Sequence, residues 1–129
     1  MSELKVGVAE VDFTPGPGLP LMGHIRDDYA ARGTHDPLRA RALVAANGAG
    51  ARVALLTLDL CMLNRAQARM MREHIAARTA IPAENILIAA THTHAAPAAV
   101  SLYQTPAASE AEVETFLRRA AEAVVKADQ

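Results

Sequence analysis

Apolar and polar positions alternate along Val6-Gly7-Val8-Ala9-Glu10-Val11-Asp12-Phe13, the period-two pattern of a strand. Thr14-Pro15-Gly16-Pro17-Gly18-Leu19-Pro20 cannot extend it, because proline brings no backbone donor to a ladder, so this segment reads as a loop. A second strand is predicted over Leu38–Ala45, with Arg39 and Arg41 on one face and Leu38, Ala40 and Ala42 on the other. The arginines read as a solvated face, or one of them holds an acidic group near a pocket. Asn47-Gly48 followed by Ala49-Gly50 is a hairpin signal, which makes this strand and the next antiparallel neighbours. Arg52 to Leu60 is almost continuously apolar, the pattern of a strand buried on both faces, and Asp59 ends it.

Asn64 and Gln67 form a capping-box pair ahead of a helix that the pattern carries to about Arg78. Ala66, Met70, Ile75 and Ala76 are its expected buried stripe, and His74 lies at the stripe's edge. Ile81 to Asn85 connects to a short apolar strand, Ile86–Ala90. Strand, helix and strand with short links predict a right-handed βαβ unit with parallel strands. Beyond Pro97 a small and polar loop precedes a second capping box, Ser109 with Glu112, and a helix over Glu110–Lys126. Its stripe is Val113, Phe116, Leu117, Ala120 and Val124. The fold expected is therefore α/β: a mixed sheet with a β-hairpin and a βαβ unit, and helices packed on it.

Composition narrows the function classes. The chain has 129 residues, one domain's worth, and is 51% hydrophobic with two Phe, two Tyr and no Trp. A net charge of −1 gives no bulk attraction for nucleic acid or an anionic membrane. The single Cys61 excludes an internal disulfide and a cysteine-based zinc finger, and reads as a small buried hydrophobe. No apolar run approaches the roughly 20 residues of a membrane span. No secretory leader is visible, so a cytoplasmic location is expected unless a leader has been removed.

The chemistry concentrates in Ala90-Thr91-His92-Thr93-His94, where a strand leaves the sheet. On a strand, residues two apart share a face, so both imidazoles could aim at one point, and neutral imidazole is the commonest zinc ligand. The plainer reading is a strand closed by two polar residues. His24 has polar, loop-like neighbours and reads as solvated. Asp59, at the end of an apolar strand, is either an acceptor that orients a histidine or a turn or cap carboxylate. No phosphate-cradling glycine motif is present.

Several blocks occur in a telling order: Phe13-Thr14-Pro15, Pro20-Leu21-Met22-Gly23, Thr34-His35-Asp36-Pro37-Leu38-Arg39-Ala40-Arg41-Ala42, Leu58-Asp59-Leu60 and Ala90-Thr91-His92-Thr93-His94. Together they resemble the N-terminal part of the neutral/alkaline non-lysosomal ceramidase family. The resemblance implies a zinc-dependent amidase that cleaves the N-acyl bond of ceramide to sphingosine and fatty acid. It implies that His92 ligates Zn2+ and that His94 lies beside the reacting amide, able to move a proton or to bond the developing oxyanion. The family's other ligands, a later histidine, a glutamate and a tyrosine, find no match, nor does its pocket serine. The 129 residues are thus expected to be an incomplete portion of a larger catalytic domain, completed by a missing C-terminal part or a partner chain, and to bind zinc poorly alone.

Where the family pattern continues with Ser-Gly-Pro, this chain has Ala95-Ala96-Pro97, which points to a different amide or ester as a further option. Two rivals stand beside this reading. A metallo-β-lactamase-like hydrolase requires Asp and His where Ala96 and Pro97 stand, which argues strongly against it. A truncated, non-catalytic family member is the other.

Overall fold

The computed structural model describes residues 3–23, 28 and 30–129. His24 lies outside the described residues. In chain order the elements are β1 (Leu4–Asp12), β2 (Leu21–Met22), β3 (Arg39–Asn47), β4 (Arg52–Leu58), α1 (Arg65–Ala76), β5 (Ile86–Ala90), β6 (Ala96–Pro97) and α2 (Glu110–Ala127), with a short 3₁₀ turn at Ala83–Asn85 before β5. The main sheet has the order β1-β3-β4-β5. The β1–β3 and β3–β4 pairs are antiparallel and the β4–β5 pair is parallel, so the expected mixed sheet, hairpin and strand–helix–strand unit are present.

The hairpin forms at Asn47, whose side-chain oxygen accepts from the backbone of Ala49 and Ala51 while Gly50 takes a positive φ. Both capping boxes form as expected, Asn64 with Gln67 and Ser109 with Glu112. After β1 the chain is turned by Asp12, which accepts from the Thr14 amide and hydroxyl at 2.9 and 2.7 Å; these bonds hold its carboxyl below the usual carboxylate range. Thr14 in turn accepts from the Leu38 amide at 2.8 Å, tying the loop to the start of β3.

The core lies on one face of the sheet. Ala40, Ala42, Val44, Ala54, Leu56 and Leu58 meet Val113, Phe116, Leu117, Ala120 and Val124 of α2 and Met71 and Ile75 of α1. Small sheet residues let α2 lie close. Gly7 marks the limit, since a Cβ there would overlap the carbonyl oxygen of Ala127. Arg52 pairs with Asp128 just past the helix.

Two sequence expectations are corrected here. β4 is buried on one face only: Ala54, Leu56 and Leu58 are covered, while Val53 and Leu55 remain 47% and 46% exposed. Its continuous apolar run reflects two apolar sheet faces, only one of which the two helices reach. In α1 the buried positions are Met71 and Ile75; Met70 is partly buried and Ala66 exposed, so the stripe is turned by about one residue. Sequence periodicity also gave no sign of the two-residue β2–β6 ladder, which pairs Leu21 with Pro97 and Met22 with Ala96. Among the described residues, no helix is long and apolar enough to cross a membrane.

Candidate metal centre

The parallel β4–β5 register ends with Leu58 beside Ala90. Past that point both chains turn, but the ladder goes on: the Thr91 amide donates to the Leu58 carbonyl at 2.9 Å and the His92 amide to the Leu60 carbonyl at 3.0 Å. Leu60 also bonds back to Leu58, so the chain bends tightly at Asp59. These bonds bring Cys61 and His92 together across the strand ends.

His92 has a φ of 65°, the left-handed region that few non-glycine residues occupy. Its Nδ1 lies 2.8 Å from the Cys61 carbonyl oxygen. A carbonyl can only accept, so Nδ1 carries the proton, and in the neutral tautomer the lone pair lies on Nε2. A backbone carbonyl orienting a ring in this way is the usual support of a metal-binding histidine. The His94 ring sits with its centroid 4.9 Å from that of His92, at an interplanar angle of 67°. The pair converges because the backbone turns at His92, since β5 has already ended at Ala90; the expected strand parity is not what joins them.

Cys61 is the third member. Its Sγ is 3.7 Å from His92 Nδ1, and Cys61, His92 and His94 each offer one donor atom, all within 4.8 Å of one another. Both histidines are exposed and the thiol is buried, which pushes the thiol's pKa up. Gly23 makes room for the group: its φ is +108°, and a Cβ there would overlap the His94 ring. Two imidazoles and one thiol are donors that zinc accepts, and a glycine cradle holds the ring space open, so these residues fit a metal ion. A cavity of about 510 Å³ opens on them, with Met22, Met62, Leu102 and Tyr103 as its apolar lining.

Asp59 is not part of this cluster. Its carboxylate accepts from the Arg39 amide at 2.9 Å and pairs with Arg41 at 3.4 Å, while Arg41 also meets Glu10 at 2.8 Å. Arg41 thus holds an acidic group at the rim of a second cavity of about 580 Å³, lined by Thr14, His35, Asp36, Asp59 and Thr93 among others. Asp36 bonds the exposed His35 at 2.8 Å and raises its pKa. Sequence reasoning set Cys61 aside as packing. The signal it offered was position: it stands three residues beyond β4, and His92 stands two beyond the parallel neighbour β5.

Comparison with known proteins identifies the family. Residues 4–128 match the family model described as neutral/alkaline non-lysosomal ceramidase, N-terminal. Neutral ceramidase 2 of Arabidopsis thaliana is 35% identical over 103 residues, which cover 78% of this chain and 14% of that protein. The neutral ceramidase of Drosophila pseudoobscura pseudoobscura is 34% identical over 96 residues, 72% of this chain and 14% of the relative. The crystal structure of the neutral ceramidase from Pseudomonas aeruginosa superposes with a TM-score of 0.68 at 22% identity, covering 96% of this chain and 20% of the other, a likeness of fold. The chain therefore spans about a seventh of the curated relatives it matches, 14% for Neutral ceramidase 2. By its family model, its relatives and its fold, this chain belongs to the neutral/alkaline non-lysosomal ceramidase family.

Proposed function

We propose that this chain contributes part of the active site of a zinc-dependent amide hydrolase of the neutral ceramidase type, which cleaves the N-acyl bond of ceramide to sphingosine and a fatty acid. The observation that carries the reading is the His92 imidazole, turned out of the sheet by a left-handed backbone and held at Nδ1 by the Cys61 carbonyl at 2.8 Å. That bond leaves Nε2 as the atom that would hold zinc. A bound zinc supplies Lewis acidity to the scissile carbonyl and lowers the pKa of attacking water. In this reading His94, whose ring lies 4.9 Å from that of His92, exchanges a proton with the reacting amide or bonds the developing oxyanion. The apolar cavity lined by Met22, Met62 and Leu102 suits a lipid amide better than a charged one. The uncovered face of the sheet supports a shared site, completed by further polypeptide.

A chimera tests this. Residues 4–128 replace the matching segment of Neutral ceramidase 2 of Arabidopsis thaliana. The expected result is release of fatty acid from an N-acylsphingosine, abolished by chelation and by His92→Asn. A folded chimera inactive on N-acylsphingosine and on simpler amides and esters would favour the non-catalytic reading. Activity on a simpler amide alone would assign the change to the Ala95-Ala96 segment, where Ala96 is fully buried.

A further inference from the structure

The cavity beside the histidine pair has an outer wall that core packing does not explain. Leu102 and Thr105 close a two-residue turn, the amide of each donating to the carbonyl of the other at 3.1 and 3.0 Å. The first residue between them, Tyr103, takes a φ of 53°, a place where glycine is the ordinary occupant. Its side chain is 97% exposed, so burial does not compensate for the strained backbone. The segment is nevertheless held in place. Thr105 is buried, the Ala107 amide donates to the Ser101 hydroxyl at 3.0 Å, and the Ala108 amide donates to the Ala98 carbonyl at 2.9 Å. A bulky aromatic is thus fixed in the open, on the wall of the cavity of about 510 Å³ that contains His92 and His94.

We propose that Tyr103 is a specificity-determining residue, whose ring lies along the alkyl chain of a bound amide and favours long chains over short ones. The proposal rests on the reading of this cavity as the seat of a lipid amide, and it names the side chain that senses the tail. No Asp, Glu, Lys or Arg lines the cavity, so a hydrocarbon chain enters without stripping water from a carboxylate, ammonium or guanidinium. Met22 and Met62 offer flexible, polarizable walls that adapt to such a chain, and Leu102, 38% exposed, continues them outward. Tyrosine suits the outermost position, because its ring supplies rigid apolar area while the phenol hydroxyl stays in water. A tail that leaves the histidines along this wall meets the ring before it meets bulk solvent.

Titration of the purified 129-residue chain with octanamide and with propanamide, followed by NMR and with the fold checked by circular dichroism, tests the proposal. The two probes share the amide and differ only in chain length. Octanamide is expected to bind more tightly and to shift the Tyr103 ring resonances. A buried methylene is worth about fourfold in affinity, so a ring that shelters roughly two of them contributes about tenfold. Tyr103→Gly is therefore expected to weaken octanamide about tenfold and propanamide far less, while Tyr103→Phe keeps the wild-type preference. Glycine suits the positive φ, so Tyr103→Gly is expected to keep its urea midpoint, and the loss then reports the ring and not the turn. Equal octanamide affinity in wild type and Tyr103→Gly would overturn the proposal, as would no octanamide binding by the folded chain. Weaker binding of Tyr103→Gly to phosphatidylcholine vesicles, with octanamide affinity retained, would overturn it in favour of a membrane-surface anchor. If the isolated chain does not fold, the same titration of the chimera decides. An active, His92-dependent chimera beside octanamide binding that ignores Tyr103 removes the tyrosine alone. An inactive chimera beside Tyr103-dependent binding removes the hydrolase reading alone.

Discussion

The two faces of the four-stranded sheet are both apolar, but the helices cover only one of them. The covered face is built from small residues, Gly7, Ala40, Ala42 and Ala54, with Leu56 and Leu58 filling the gap to α2. The open face carries the larger aliphatics. Val8, Leu43, Leu55 and Leu87 form one row across all four strands and stay 72%, 37%, 46% and 58% exposed. Val6 and Val53 extend the patch, and the Glu10, Arg41 and Asp59 ion pairs close one end of it. Closely packed helices need small sheet residues, so residue size on a strand reports how near the next layer lies, not whether a layer exists. A contiguous apolar surface of this kind is what proteins cover.

Deleting equal side chains from the two faces should have very unequal effects. Leu56→Ala, in the covered face, is expected to lower unfolding free energy by about 2–5 kcal/mol. Leu55→Ala, one residue away and facing out, is expected to cost only the roughly 0.2–1 kcal/mol of cross-strand contacts. Urea unfolding of both variants checks this, and equal losses would mean that the outer face is covered in solution. Next in size is Gly7→Ala, where the added methyl meets the Ala127 carbonyl. Denaturant melts are expected to show about 1–3 kcal/mol of overpacking cost there.

A smaller effect separates helix from sheet. Asn64→Ala removes the cap that accepts from the Gln67 amide at 2.9 Å, for an expected cost of about 1 kcal/mol in thermal or urea unfolding. The Leu55→Glu variant is expected to leave the unfolding free energy near that of Leu55→Ala while reducing the fluorescence of an apolar dye bound to the open face. Unchanged dye binding would place the accessible apolar surface elsewhere.

The smallest effect concerns how α1 meets α2. Burial pushes the Glu122 carboxyl up, but hydrogen bonds and charges from Arg78 and His74 outweigh it and hold the group below its ordinary range. A carboxyl lowered in the folded state stabilises above its unfolded pKa and loses that contribution as pH falls through the folded one. Acid titration of helix content is therefore expected to show loosening below about pH 4.3, the ordinary glutamate value, and less of it in Glu122→Gln. Identical acid profiles would remove Glu122 from the account.

Much of this was legible in the amino-acid order, and what was missed has definite causes. Asn64 and Ser109 announced both helices because capping chemistry is local, and Asn47-Gly48 announced the hairpin for the same reason. The strand–helix–strand unit followed from link lengths. The exposure of Val53 and Leu55 did not follow, because apolar character records a preference for burial and not the presence of a partner layer. Within the site, the His92–His94 pair stood out by spacing, yet its convergence comes from a left-handed residue that no side-chain pattern encodes. Asp59 was a plausible orienting acceptor for a histidine, but the carbonyl of Cys61 takes that place and Asp59 goes to Arg39 and Arg41. Main-chain acceptors are present at every residue, so sequence alone cannot single one out.

That last bond also bears on how the site can diverge. Because His92 is aimed by a main-chain oxygen, every residue type at position 61 brings the same acceptor. Small side chains that fit its buried position beside Met22 and Ala98 would leave the aim of the imidazole unchanged. The aim of the ring is thus written into the main chain at position 61 and does not depend on the thiol.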